Sequence, residues 1–289
     1  MMSRFVDLLK DHRPLICDGA VGTELLSRTT RADQCLDNLN LTHPDLVREV
    51  HLSYIKAGAQ IIETNTFGAN KIRLAAHGLA DSAREINTAG VRVAKEAAGD
   101  DVLVAGSIGP VGKLLEPYGT LSLEEVREAF SEQAAALKDS GVDVIFVETM
   151  ADLQEAGAAV EAAKSTGLPV VAQMSFAQEG RTMMGVDPAT AVQTFCELGA
   201  DVVGANCGTG FYDMLSVVRE IIAATDRPVI AQPNAGFPQM VDGRLVYMSS
   251  PAYMADCAKQ FAELGVAIIG GCCGTTPDHI RAISEALRR

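Results

Sequence analysis

Almost continuous runs of apolar residues alternate along the chain with longer segments in which apolar residues recur at helical spacing. The apolar runs cover residues 14–19, 60–66, 102–107, 142–149, 169–176, 201–207, 228–234 and 266–270. Uninterrupted apolar runs are typical of parallel strands whose two faces are both buried. The segments between them predict amphipathic helices, several of which end at a glycine directly before the next strand. Residues 20–40 and 235–250 lack either pattern and are predicted as loops.

Eight strand–helix units in 289 residues predict an α/β protein, a single-domain (β/α)₈ (TIM) barrel that occupies residues 1–289. A doubly wound open sheet is the alternative architecture. It is disfavoured because no Gly-x-Gly-x-x-Gly motif follows the first predicted strand. No linker or low-complexity segment divides the chain.

Composition narrows the range of partners and compartments. The net charge of −13 disfavours binding to nucleic acid or to an anionic membrane. No apolar run approaches the roughly 18 residues of a membrane span, and the charged N-terminus does not resemble a signal peptide. These features predict a cytoplasmic protein, in which the seven cysteines are thiols or metal ligands rather than disulfides.

Polar residues follow all the predicted strands, where a barrel of this type carries its active site. Chance accounts for single positions, since loops often begin with polar residues, but it accounts poorly for the whole set. The set comprises Asp18, Glu63, Thr64, Asn65, Thr66, Ser107, Glu148, Thr149, Gln173, Ser175, Asn206, Cys207, Gln232, Asn234, Cys272 and Cys273.

Three of the cysteines stand out by position. Cys207, Cys272 and Cys273 lie at the ends of strands six and eight and are flanked by glycines, whereas Cys17, Cys35, Cys196 and Cys257 are expected to act as small apolar residues. The two strands are close in a closed barrel, so the three thiols are predicted to converge. A strained disulfide between Cys272 and Cys273 is the alternative.

Three convergent thiolates predict a zinc site with one open coordination position. Such a site carries a net charge of −1, which suits it poorly to activating water. It is better suited to binding a fourth thiolate and keeping it nucleophilic, so the expected chemistry is alkyl transfer to a thiol. A zinc hydrolase would prefer histidine ligands, and the histidines do not follow the predicted strands. A closed structural or storage zinc site usually has four ligands, often from Cys-x-x-Cys hairpins, which are absent.

Several motifs, in order along nearly the whole chain, resemble the homocysteine S-methyltransferase family. The likeness is greatest to the homocysteine-binding zinc module of cobalamin-dependent methionine synthases. The motifs are Asp18-Gly19-Ala20-Val21-Gly22-Thr23-Glu24, Glu63-Thr64-Asn65-Thr66-Phe67-Gly68-Ala69, Gly106-Ser107-Ile108-Gly109-Pro110, Asn206-Cys207, Pro233-Asn234-Ala235-Gly236 and Gly271-Cys272-Cys273-Gly274-Thr275. Val21 departs from the family pattern, in which an aromatic residue is frequent.

The resemblance implies a zinc-dependent transfer of a methyl group to the thiol of homocysteine, giving methionine. It implies that Cys207, Cys272 and Cys273 hold the zinc, that Asp18 and Glu148 lie near the ammonium of homocysteine, and that Asn234 lies near the metal. Physical reasoning agrees, because two carboxylates can bind an ammonium and the turns at Gly19 and Ser107 can offer N–H groups to a carboxylate. The alternative for Glu148 is an ion pair with a Lys or Arg.

The sequence does not identify the methyl donor. A methylcorrinoid group would have to come on a separate protein, because the chain has no Asp-x-His-x-x-Gly cobalamin motif. A small methyl-sulfonium or methyl-ammonium compound is the alternative, and a quaternary ammonium favours an aromatic cage, here from Phe67, Tyr118 or Phe211. A different small thiol as acceptor, or a non-catalytic zinc- or thiol-binding protein, also fits the pattern.

Overall fold

The computed structural model describes residues 4–10, 13–29, 35–208, 210–241 and 244–288. Eight parallel strands form one sheet. The strands are β1 (Leu15–Ile16), β2 (Ile61–Glu63), β3 (Leu103–Ile108), β4 (Val144–Met150), β5 (Val170–Met174), β6 (Val202–Cys207), β7 (Val229–Pro233) and β10 (Ile268–Ile269). Their order in the sheet is β1-β10-β7-β6-β5-β4-β3-β2, and a parallel bridge between Cys17 and Ile61 joins β1 to β2, so the sheet closes on itself. This arrangement confirms the predicted (β/α)₈ barrel.

Helices surround the sheet and follow the strands in alternation. They are α1 (Arg4–Leu8), α2 (Val21–Arg28), α3 (Leu39–Thr42), α4 (Pro44–Ala57), α5 (Lys71–Leu74), α6 (Ala83–Ala98), α7 (Leu123–Asp139), α8 (Leu153–Ser165), α9 (Pro188–Glu197), α10 (Phe211–Ala224), α11 (Pro251–Glu263) and α12 (Pro277–Leu287). No described helix combines the length and the hydropathy that crossing a bilayer would require.

Local sequence signals account for many helix ends. Ser122 and Glu125 form the predicted capping box at the start of α7, in which each side chain bonds the backbone of the other residue. Gly58 ends α4 with a φ of 107°, a left-handed conformation that costs glycine little. The predicted glycine signals before the strands are therefore confirmed as turns of the backbone.

The apolar residues divide into an outer and an inner layer. The outer layer packs the helices against the strands, and the inner layer fills the barrel with side chains such as Leu15, Ile61, Leu103 and Phe146. Phe5 of α1 is fully buried in the inner layer. The N-terminal helix therefore covers the end of the barrel opposite to the C-terminal ends of the strands.

Two segments predicted as loops contain regular structure. α2 occupies part of residues 20–40, and the sequence signal was weak because its N-cap, Ala20, provides no side-chain hydrogen bond. After β7, strands β8 (Pro238–Val241) and β9 (Arg244–Tyr247) form an antiparallel hairpin. The hairpin was missed because Met240 and Val241 are adjacent and both exposed, which conceals the alternation expected of a strand.

Candidate active site

The structure brings together the three cysteines that the sequence singled out. Cys207 ends β6, and Cys272 and Cys273 lie on the turn between β10 and α12. Their sulfur atoms lie within 4.8 Å of one another, and the Sγ atoms of Cys207 and Cys273 are 4.0 Å apart. All three are free thiols, so the alternative of a disulfide between Cys272 and Cys273 is not realised. This cluster could hold a metal ion.

Backbone contacts between β7 and the turn after β10 hold the cluster in place. The Cys272 N–H donates to the Pro233 carbonyl at 2.9 Å, and the Ala235 N–H donates to the Cys273 carbonyl at 3.0 Å. Cys207 has a φ of 62°, a left-handed conformation that is rare outside glycine. Such strain is characteristic of functional sites, where surrounding contacts fix the backbone.

The three thiols share negative charge unequally. Hydrogen bonds from Cys272 and Cys273 lower the pKa of Cys207 to about 3. The same contacts with Cys207 raise the pKa of Cys272 well above its usual range and that of Cys273 to about 11. One thiolate is therefore easily formed, whereas three would need a cation among them.

Asn234, which the family resemblance implies near a metal, lies beside the cluster. Its Nδ2 donates to the Gly208 carbonyl at 2.7 Å, and its amide interacts with the Cys207 thiol and lowers the pKa of that group. Its Oδ1 is buried and has no hydrogen-bond partner among the described residues. An acceptor in this position, next to three thiols, is suited to a cation.

Three buried carboxyl groups form an acid cluster at the C-terminal ends of β1, β2 and β4: Asp18, Glu63 and Glu148. The Glu63 N–H donates to Asp18 Oδ2 at 3.0 Å, and Glu148 hydrogen-bonds Glu63 through its side chain. Burial and repulsion from Glu63 raise the pKa of Asp18 and Glu148 well above their usual range. Among the described residues no Lys or Arg forms an ion pair with Asp18 or Glu148, whose hydrogen-bond partners are neutral or acidic groups, so the alternative of an ion pair for Glu148 is not supported.

Ser107 and Gly19 border the acid cluster in different ways. The Ser107 hydroxyl donates to Glu148 Oε1 at 2.5 Å, while the Ser107 N–H is already bonded to Thr64 Oγ1. This N–H is therefore occupied within the protein, and the binding of a substrate carboxylate at Ser107 stays a prediction. A methyl group on Gly19 would lie 2.6 Å from Thr275 Oγ1, so the close packing at this turn requires glycine.

Amide side chains link the acid cluster across the barrel. Gln232 Nε2 donates to Glu63 Oε1 at 2.6 Å, and Gln173 Nε2 donates to Gln232 Oε1 at 2.8 Å. Asn206, which directly precedes Cys207, bonds Glu148 Oε2 at 3.1 Å. The polar strand ends thus form one connected network beside the thiols.

Sequence reasoning missed the contribution of the β8–β9 hairpin. Tyr247 of β9 packs on Gly274, where an added Cβ would lie 2.0 Å from the ring, and its side chain hydrogen-bonds Cys273. The one available sequence signal was Gly274 next to the cysteines, because glycine allows another group to approach the backbone closely. Cys17 and Cys257 are buried as expected, whereas Cys35 and Cys196 are only partly buried.

Comparison with known proteins agrees with this geometry. The family model "Homocysteine S-methyltransferase" matches residues 15–287. The chain is 34% identical to a methionine synthase of Mycobacterium leprae over 98% of its own length, and 34% identical to one of Mycobacterium tuberculosis over 95%. It spans 25% of the length of each of these relatives.

Solved structures extend the comparison to the fold. The metallated form of the homocysteine methyltransferase MmuM from Escherichia coli superposes with a TM-score of 0.80 and 26% identity, covering 96% of this chain and 98% of that one. The family match covers the barrel, the thiol cluster and the acid cluster together. The chain therefore belongs to the homocysteine S-methyltransferase family.

Proposed function

We propose that the chain transfers a methyl group to the sulfur of homocysteine, giving methionine, with zinc held by Cys207, Cys272 and Cys273. The observation that carries the proposal is the proximity of two unlike groups at one end of the barrel. Three thiols suited to a metal lie beside three buried carboxyl groups that have no cationic partner among the residues that the structure describes. Homocysteine carries a thiol for the first group and an ammonium for the second.

The donor set supports zinc. Three sulfur ligands are typical of zinc among the common metals of proteins, and they leave a position open. The high pKa values of Cys272 and Cys273 without a cation, and the buried Oδ1 of Asn234, fit a divalent ion bound at this point. Zinc, when bound, supplies positive charge that lowers the pKa of an added thiol.

The acid cluster would orient the substrate. Asp18 and Glu148 are buried, so their attraction for an ammonium is screened little by solvent. An ammonium between them offsets the repulsion that raises their pKa values, and it donates charge-assisted hydrogen bonds. Gly19 directly follows Asp18 in the chain, and we expect its backbone N–H to bind the substrate carboxylate. The substrate thiol is then directed towards the cysteines.

The transfer is a displacement at carbon. The thiol loses its proton to solvent, its sulfur forms a bond to the methyl carbon, and the bond between that carbon and the donor breaks. The donor keeps the electron pair of the broken bond. A methyl donor with a good leaving group is therefore required, either a methylcorrinoid or a sulfonium or ammonium compound.

The distribution of exposed apolar residues supports a protein-borne donor. The exposed large apolar side chains of the described residues all lie in segments that follow the C-terminal ends of strands, around the mouth that leads to the thiols. They are Leu26, Leu114, Tyr118, Met183, Met184, Tyr212, Phe237, Met240, Val241 and Met248. A small donor does not require exposed apolar residues around the entrance, whereas a methylcorrinoid protein that binds over the entrance would bury them.

The aromatic residues considered for an ammonium cage do not assemble into one. The guanidinium of Arg73 lies 5.2 Å from the ring centre of Phe67, so one face of that ring is occupied. Phe211 is buried against Phe261 at 4.9 Å between ring centres, and Tyr118 is 73% exposed. The arrangement therefore favours the corrinoid protein over a quaternary ammonium donor.

A panel of donors tests the proposal. Zinc-loaded protein and homocysteine would be incubated with a methylated corrinoid protein, S-methylmethionine or betaine, and methionine measured. Of the three donors, we expect only the methylated corrinoid protein to give methionine. Turnover with only a small donor would overturn the choice of donor, and no methionine with any donor, together with zinc binding indifferent to homocysteine, would favour a storage protein.

A further inference from the structure

Asn206 touches both parts of the candidate site. It is 1% exposed, lies at the end of β6 and precedes the metal-ligand candidate Cys207. Its Nδ2 donates to Glu148 Oε2 at 3.1 Å and to Thr149 Oγ1 at 2.7 Å, and lies 3.8 Å from Cys272 Sγ. One amide group thus contacts a carboxylate of the acid cluster and a thiol of the metal site.

The orientation of this amide is fixed by a backbone group. The Thr149 N–H donates to Asn206 Oδ1 at 2.7 Å. Because an N–H can only donate, it must face the oxygen of the amide, and the nitrogen must face Glu148. Asn206 therefore presents N–H donors to the carboxylate and the thiol.

The backbone on both sides of this contact is strained. Thr149 has a φ of 60° and Cys207 a φ of 62°. The left-handed region is unfavourable for a β-branched residue, so Thr149 needs contacts that hold it there. The Thr149 N–H donates to Asn206 Oδ1, and Asn206 Nδ2 donates to Thr149 Oγ1; these two bonds supply such contacts and fix the end of β4 relative to the end of β6.

We propose that Asn206 is a positioning residue that sets Glu148 for the ammonium of the substrate at a fixed place relative to the thiol cluster. This rests on the proposed function. With Asn206 in place, Glu148 Oε1 is held by Ser107 and Oε2 by the amide, so the carboxylate is oriented before substrate arrives. Without it, Oε2 and the Thr149 N–H each lose a hydrogen-bond partner, and only Ser107 and Glu63 remain to orient the carboxylate.

The test compares two thiols that differ only in the ammonium. Calorimetry would measure binding of homocysteine and of mercaptobutanoate, its analogue without the amino group, to zinc-loaded protein carrying Asn206→Ala or Asn206→Ser. We expect homocysteine to bind about tenfold or more weakly, a typical loss for a residue that orients another, while mercaptobutanoate changes by less than about twofold. A general structural defect would instead weaken the binding of both thiols.

A matched control uses another buried amide. Asn87 of α6 donates to the carbonyls of Ala69 and Ala83, both at 2.8 Å, and makes no described hydrogen bond to the thiols or to the acid cluster. Asn87→Ser makes the same chemical change and should leave the ratio of the two affinities unaltered. Melting temperature and zinc content would be measured for every variant.

Several outcomes would overturn the proposal. They are equal losses for the two thiols, no loss for either, loss of zinc from Asn206→Ser, or failure of both Asn206 variants to fold. The unsubstituted protein is measured first. If it does not bind homocysteine, the proposed function itself fails, whereas the role of Asn206 is judged from the ratio of the two affinities.

Discussion

Glu148→Gln isolates the charge that the proposed ammonium site needs. Glu148 is 7% exposed, and its two oxygens accept from Ser107 at 2.5 Å and from Asn206 at 3.1 Å. Gln has nearly the same size, so the pocket keeps its shape while one negative charge is lost. The thiol cluster is not altered, and zinc content should be unchanged.

The expected magnitude follows from the burial of this group. A charge-assisted hydrogen bond from an ammonium to a carboxylate contributes about 1.5–3 kcal/mol, which corresponds to a loss of about 10- to 150-fold in affinity. Because Glu148 is buried, the loss should persist at high ionic strength. Titration calorimetry of homocysteine into the zinc-loaded protein near neutral pH measures the change.

Glu155 provides the matched control. It is also a buried glutamate, 6% exposed, whose Oε1 accepts from the Val111 N–H at 2.7 Å, and burial raises its pKa to about 7. Glu155→Gln should alter stability but not the affinity for homocysteine. Unchanged affinity in Glu148→Gln, or equal losses in the two variants, would refute the proposed position of the ammonium.

Three further predictions concern the metal, the hairpin and acid stability. Cys273→Ala should purify without zinc and without methyl transfer while Cys196→Ala keeps both, and metal analysis with an activity assay would expose the opposite pattern. Gly274→Ala places a Cβ at a φ of 78° and 2.0 Å from the Tyr247 ring, so urea unfolding should show a loss of about 1–3 kcal/mol, part of which Tyr247→Ala restores; full stability of the single variant would contradict this. Burial lowers the pKa of His51 to about 4, so the unfolded chain binds the extra proton below pH 6.5, and stability should fall by about 1.4 kcal/mol per pH unit down to pH 4, about 3 kcal/mol in all. Urea unfolding across this pH range would compare the unsubstituted protein with His51→Leu, in which this pH dependence should be absent. The same dependence of stability on pH in both proteins would refute the prediction.

The barrel could be predicted from the sequence because each strand carries its own signal. Residues 144–147 at the start of β4 are apolar on both faces of the strand, and Ser122 and Glu125 mark the start of α7 by a capping box. The convergence of the cysteines followed from topology, since strands at nearby positions in a closed barrel end at the same rim.

Contacts between distant loops could not be predicted in this way. The bond between Asn206 and Glu148 depends on how β4 and β6 are placed relative to each other in the barrel. The packing of Tyr247 on Gly274 joins β9 to the turn after β10, and neither segment's sequence indicates the other as its partner. Hydrophobic periodicity describes one helix or strand at a time. The sequence therefore shows which polar residues follow the strands, but not which of them hydrogen-bond to one another.

The buried position of Phe5 has a consequence for the order of events in a catalytic cycle. With α1 covering one end of the barrel, we expect the acceptor, the donor and the product to share the opening at the opposite end, where the thiols lie. If the donor is a protein that seats on that opening, the acceptor must enter first and the methylated product can leave only after the donor has departed. The protein would then follow a compulsory-order kinetic scheme, in which excess donor protein inhibits by occluding an empty barrel.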